Sequence, residues 1–377
     1  MALNKAEIGT AAASLDSAAP RIHAARFTIG FDGFVDEIIH AVDTRTNQRE
    51  FERLHTIEKF SERVRAAAGK SANIELVPMQ VKAGGNGPLM SVAVLGMGGQ
   101  VTCIGLLGFP AIHPVFAPLA EKATVISVGD PGHTDALEFR DGKIMFGKLH
   151  TIKELCWSRL IQVIGADKFK ALLLGSDLVA CNNWTMLTEM SEIIDQITAL
   201  TPPGAPVRFF FDLADPEKRS RADLEKVLGQ IRTLNVKARC LLGLNLSEAE
   251  QVSKVLGLKE MPEENPASVE ATAGRIAKSM GLHGVVVHAV KCAGANIGGE
   301  SAGVEGPYCP NPKLSTGAGD HFNGGFVSGL MGGLSVRDAL YSGVGTSGFY
   351  VRNARSPVLS DVSGFLRAWS AGPLSDA

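Results

Sequence analysis

Ser315-Thr316-Gly317-Ala318-Gly319-Asp320-His321-Phe322-Asn323-Gly324-Gly325 is the stretch on which the reading of this chain turns. Gly317, Ala318 and Gly319 are small enough for a sharp backbone turn that exposes consecutive N–H groups. Phe322 to Leu330 then reads as the opening of a buried helix. A helix start presents unpaired amides and the positive dipole end to one point, which makes it a trap for an anion. Asp320 sits at that point. A carboxylate there opposes simple phosphate storage. It suits a reaction in which Asp320 accepts the proton of a substrate hydroxyl while the amides of Gly317, Ala318 and Gly319 hold the charge of a phosphoryl group in transit. The competing reading is a plain turn before a helix, with Asp320 as its cap.

Composition narrows the choice. The chain has 377 residues, 45% hydrophobic and 20% charged, enough material for a large core in one main domain with a smaller appendage. The net charge is -2 and no long basic run occurs, which argues against nucleic acid as a partner. The cysteines (Cys103, Cys156, Cys181, Cys240, Cys292 and Cys309) stand singly, so they read as free thiols of a reducing compartment rather than a zinc site. No apolar run is long enough to span a membrane, and the start lacks a signal core, so a cytoplasmic protein is expected.

Along the chain, residues 1–25 read as an alanine-rich lead-in, amphipathic or disordered, and residues 366–377 as a loose tail. Residues 26–365 form the expected main domain. Arg26 to Asp32 is a short buried strand that ends in Gly and Asp, with Asp36 shortly after it. Gly84, Gly85, Asn86 and Gly87 form a glycine-rich loop that feeds an apolar helix. Asp141-Gly142 between two short strands is a hairpin signal. From about residue 170, apolar strands alternate with helices, the pattern of a parallel sheet covered on both faces. Asn182, Asn183, Asp212 and Asn245 end those strands, where such sheets bind ligands; each is also an ordinary turn former.

Taken in order, these features resemble the ribokinase-like, or PfkB, carbohydrate kinase family over roughly residues 27–355. Thr316-Gly317-Ala318-Gly319-Asp320 is similar to that family's C-terminal signature. Gly84-Gly85-Asn86-Gly87 is similar to its N-terminal sugar loop, and Asn245-x-x-Glu248 to its strand-end motif. The resemblance implies an α/β fold: a ribokinase-like three-layer α/β/α sandwich with a mostly parallel central sheet. It also implies a small β-sheet lid, placed here at about residues 36–60 and 133–150. By the same resemblance Asp320 is the catalytic base, and the Gly317-Ala318-Gly319 backbone is the anion hole. Asn245 and Glu248 organise magnesium-bound water and phosphate, with no direct metal ligand. Asp32, Asp36, Gly84, Gly85 and Asn86 contact the substrate.

ATP and Mg2+ are the implied cofactors, and a sugar is the implied substrate. Lids of this family often pair between subunits, which raises a homodimer through the lid. The chain departs from the family at four places: Leu314, Leu89, His288-Ala289-Val290 and His321. Leu314 stands where a monovalent-cation loop often has Asp, so potassium activation is not carried over. A nucleoside kinase of the same fold, and an inactive sugar- or nucleotide-binding regulator, remain alternatives. Only 6% of residues are aromatic, which favours a sugar over a stacked base. Ala66-Ala67-Ala68-Gly69-Lys70-Ser71 fails as a P-loop because Val64 holds the first glycine position. His113, His133, His150 and His288 read as structural or surface residues.

Overall fold

Phe209, Phe210 and Phe211 are consecutive and all buried, because the strand that carries them is covered on both faces. Successive strand side chains point to opposite faces. Phe209 and Phe211 accordingly join one hydrophobic core and Phe210 the other. The computed structural model describes residues 4–374.

In chain order the strands are β1 (Arg26–Gly30), β2 (Phe34–Arg45), β3 (Phe51–Arg53), β4 (Leu76–Gly84), β5 (Gln100–Gly105), β6 (Thr124–Ser127) and β7 (Gly132–Phe139). They continue as β8 (Gly142–Lys148), β9 (Leu178–Asn182), β10 (Arg208–Asp212), β11 (Arg239–Asn245), β12 (Gly284–His288), β13 (Cys292–Ile297) and β14 (Glu300–Glu305). The large sheet has the order β14-β13-β12-β11-β10-β9-β1-β5-β6. Strands β6 to β12 along that order are parallel, and β13 and β14 close one edge antiparallel. Helices Ala166–Gly175, Met190–Leu200, Arg221–Asn235 and Pro266–Met280 cover one face. Helices Asn86–Gly96, Ala318–Met331 and Val336–Asn353 cover the other. This is the expected three-layer sandwich.

The small sheet contains β2, β3, β4, β7 and β8. Strand β2 pairs antiparallel with β3 and β4 but parallel with β7, and β7 and β8 form the hairpin around Asp141. Its own core is Ile39, Ala41, Leu54, Leu137 and Phe139. Strand β4 lies outside the expected lid segments. It is mostly exposed, contains Pro78, and pairs across a register irregularity between Ile38 and Ile39, so no alternating pattern announces it.

The chain ends also differ from expectation. Lys5–Ala24 is a helix, with Ile8, Leu15 and Ile22 fully buried on one stripe. It packs on the helix Leu359–Ala371, which runs past the expected boundary at 365. The alanines that made the lead-in look unstructured belong to the buried face of this helix: Ala11, Ala12 and Ala18 lie in the hydrophobic core. All six cysteines are free, and among the described residues no helix is long and apolar enough to cross a membrane.

Candidate active site

A parallel sheet brings the carboxyl ends of its strands to one side. Here that side receives Asp32 just after β1, Asn183 after β9, Asp212 on β10, Asn245 on β11 and His288 on β12. The helices Asn86–Gly96 and Ala318–Met331 start there as well.

Asp32 is fully buried, and three donors converge on it. The Asn86 amide (2.8 Å) and the Asn183 side-chain amide (2.7 Å) donate to Oδ2, and the Gly87 amide (2.7 Å) to Oδ1. Burial raises its pKa against these bonds. Asp32 therefore caps the helix Asn86–Gly96 and ties it to β9; it lies beneath the glycine loop rather than at its surface. Gly85 has φ 98°, a left-handed turn that delivers Asn86 to the helix start. Asp36 sits on β2 in register with Lys82 and Thr134. It is buried, and burial raises its pKa more than Thr134, Lys82 and Lys143 lower it. Gly84 covers it so closely that a Cβ would stand 2.5 Å from its Oδ2.

Asn86 donates its side-chain amide to Asp320 Oδ1 at 3.0 Å. A cavity of about 380 Å3 is lined by Asn86, Asn245, Glu248, Gly317, Gly319 and Asp320. Asp32, Asp36, Gly84, Gly85 and Ala318 do not line it. Asp212, Asn183 and His288 do. The first two are strand-end residues whose type alone could not separate a site from a turn; His288 had read as structural.

The cavity is a nest of carboxyl groups. Asp320 is raised well above the ordinary range, first by burial and then by the charges of Asp212 and Asp32. Asp212 is pushed up to about 8 by burial and by Glu248. Burial also raises Glu248. Asn245 and Glu248 form a reciprocal capping box: Asn245 Oδ1 accepts the Glu248 amide at 2.9 Å, and Glu248 Oε2 accepts the Asn245 amide at 2.8 Å. Ala214 (φ 56°) and Asp215 (φ 65°) adopt a left-handed backbone that costs about 1–3 kcal/mol per residue. Asp212 Oδ1 accepts the Ala214 amide and Glu248 Oε1 the Asp215 amide, so two carboxylates hold this turn in place.

The raised values set the sign of a pH effect. Folding disfavours the ionised form, so the folded protein holds protons that the unfolded chain has released. Stability is then lost as pH rises through the interval from the ordinary carboxylate range to about 8, the value for Asp212. The melting temperature of the metal-free protein is expected to fall between pH 5 and pH 8, with a smaller fall for Asp212→Asn. A flat profile in the wild-type protein would contradict the carboxyl nest.

At the opening stretch, Gly317 is the helix N-cap with φ 87° and no side-chain cap. Ala318, which lines the second cavity described below, donates its amide to Ser315 O at 3.1 Å. Among the described residues, the amides of Gly317 and Gly319 find no protein acceptor. A second cavity, of about 450 Å3, meets the first at Asn245, His288 and Gly319. Leu246, Val290, Phe322, Val344 and Val351 make its walls largely apolar. His288 packs against Phe322, and burial lowers its pKa to about 4, so it is neutral. His321 points away from both cavities, toward Tyr350 and Ser356. Among the described residues no group of three or more His, Cys, Asp or Glu has the arrangement of a metal site.

The family profile described as prokaryotic ketohexokinase matches residues 5–369. A ketohexokinase from Haloferax volcanii is 27% identical over 367 residues, covering 95% of this chain and 94% of that protein. Among solved structures, a probable sugar kinase from Rhizobium etli superposes with a TM-score of 0.63 at 18% identity, covering 93% of this chain and 99% of that one. A ribokinase from Cryptococcus neoformans, in complex with ADP, gives 0.60 at 18% identity, covering 90% and 99%.

Proposed function

The chain belongs to the prokaryotic ketohexokinase family, and is thus a carbohydrate kinase with the ribokinase fold; we propose that it transfers the terminal phosphoryl group of ATP to a hydroxyl of a ketohexose. One observation supports this above the rest. The Asp320 carboxylate, held by Asn86, stands beside the unengaged amides of Gly317 and Gly319 where an acidic cavity meets an apolar one.

The residues fit a nucleotide and a divalent cation. The apolar cavity suits a base and ribose, and it opens onto the positive end of a helix. Glu248 and Asp212 each oppose ionisation of the other in this cavity, and a divalent cation would offset that cost, with Asn245 beside them. Glu248, Asp212 and Asn245 are the residues that would hold magnesium, which would neutralise phosphate charge when bound. Asp320 accepts the proton of the attacking hydroxyl as its oxygen bonds to phosphorus. The Gly317 and Gly319 amides take the charge of the phosphoryl oxygens as the bond to the leaving oxygen breaks. Asn86 orients Asp320 and offers its remaining polar atom to the sugar. Asp36, on the lid strand β2 and outside the cavity lining, is the lid's candidate for the sugar's far hydroxyls.

A coupled ADP-release assay across ketohexoses, aldohexoses and nucleosides tests the reading. A ketohexose is expected to give the highest kcat/KM. Faster turnover of a nucleoside would reject the substrate assignment.

The lid also supports a homodimer. Strands β4 and β8 are sheet edges, each with a single partner. They expose Leu76, Met79, Val81, Met145 and Phe146 by 41–54%. Apolar residues on an unpaired edge invite pairing with a second copy. Light scattering is expected to give a dimer mass for the wild-type protein and a monomer mass for Met79→Glu combined with Phe146→Glu. A monomeric wild-type protein would end this proposal.

A further inference from the structure

The first residue after the candidate base is unusual in what it does. His321 is fully buried, and its Nδ1 lies 2.7 Å from Gly317 O, which also accepts the His321 amide at 3.0 Å. A carbonyl oxygen only accepts, so Nδ1 carries the hydrogen. Nε2 then accepts from the Ser356 hydroxyl at 2.7 Å. Burial lowers the imidazole pKa to about 4, which keeps this single neutral form at working pH. The ring stacks on Tyr350, with centroids 3.7 Å apart and planes 16° from parallel. Tyr350 in turn donates its hydroxyl to Thr316 O at 2.9 Å.

Two successive carbonyls of the opening stretch are thus tied from behind. The peptide unit is planar and trans, so its C=O and N–H point in opposite directions. Anchoring the Thr316 carbonyl on Tyr350 aims the Gly317 N–H the other way. Anchoring the Gly317 carbonyl on His321 aims the Ala318 N–H at Ser315 O, where it is found. The turn cannot rotate either peptide without breaking a bond to a buried aromatic ring.

We propose that Tyr350 and His321 are positioning residues that aim the Gly317 amide at the phosphoryl group in transit, with Ser356 fixing the imidazole. The inference rests on the kinase reading above. It assigns a task to His321, a position where the chain departs from its wider family, and to Tyr350, some 30 residues downstream.

Losing one anion-hole donor outright costs about 10²–10³ in kcat, so a misaimed one is expected to cost roughly tenfold. Tyr350→Phe keeps the stacked ring and removes only the hydroxyl. It is expected to lower kcat roughly tenfold with KM for the ketohexose within about twofold, since only transition-state charge is affected. Calorimetry with ADP and aluminium fluoride, a mimic of the planar phosphoryl group, should show the same loss in affinity, while ADP alone binds as in the wild type. His321→Leu should behave similarly. His321→Asn, whose amide can still donate to Gly317 O, should recover most of the activity. A Tyr350→Phe protein that melts earlier yet keeps wild-type kcat and aluminium fluoride affinity would overturn the inference and leave the kinase reading standing. A wild-type protein with no kinase turnover would overturn both.

Discussion

Asp320→Asn is expected to lower kcat about 10²–10⁴-fold, the range for loss of a general base, without lowering the melting temperature. The second half separates the base from a helix cap. A cap contributes stability that its removal forfeits. Asp320 instead sits among like charges: burial, Asp212 and Asp32 all oppose its ionisation. The substituted amide can still accept from Asn86, whose side chain now donates at 3.0 Å, and it removes a buried charge that costs free energy to hold. The variant should therefore be as stable as the wild type or slightly more so. Stopped turnover together with retained ketohexose binding, read by calorimetry, is the expected pair of results. A variant with near wild-type kcat and a lowered melting temperature would assign Asp320 to the cap.

Asp32→Asn is expected to have the largest effect on stability of any single-atom change near the site. Every oxygen of Asp32 faces donors: Asn86 N and Asn183 Nδ2 on one, Gly87 N on the other. An amide must turn its NH2 toward one of these sets. Each buried donor left facing another donor costs about 1–3 kcal/mol. The damage reaches chemistry through Asn86, whose backbone is held by Asp32 and whose side chain holds Asp320. A displacement near 1 Å at that link is expected to lower kcat/KM by up to roughly 10²-fold. Urea unfolding and steady-state kinetics on the same preparation check both effects. Unchanged stability with a raised KM alone would instead make Asp32 a direct sugar ligand.

The case of Asp32 shows where sequence reading stops. Its type and its place after β1 suggested a group for sugar hydroxyls. The contacts that decide its role come from residues 86, 87 and 183, which no local pattern connects to it. His321 shows the same limit from the other side. As a substitution at a position that is usually small, it was visible as a departure. Its meaning depends on Tyr350 and Ser356, brought alongside by the packing of two helices. His288 was visible as a departure from the family at the end of an apolar strand and read as structural, yet it stands where the two cavities meet.

What the sequence determined alone was local and periodic. The continuous apolar runs of β9 to β12 indicated a sheet covered on both faces, and Gly317-Ala318-Gly319-Asp320 indicated a helix start, which is present. Asn245-x-x-Glu248 has the residue types and spacing of a capping box, and that box is present. These follow from a few adjacent residues and the fixed repeat of strand and helix. Which carboxyl groups share one cavity was decided by the order of strands in the sheet, which sets Asp212 on β10 beside Glu248 after β11, and by the packing of the helix that carries Asp320, although the three lie far apart in the chain. Which amides stay free was decided by a turn bond from Ala318 to Ser315. Both depend on distances between segments, and burial then converts those distances into charge and hydrogen-bond energy that no single segment contains.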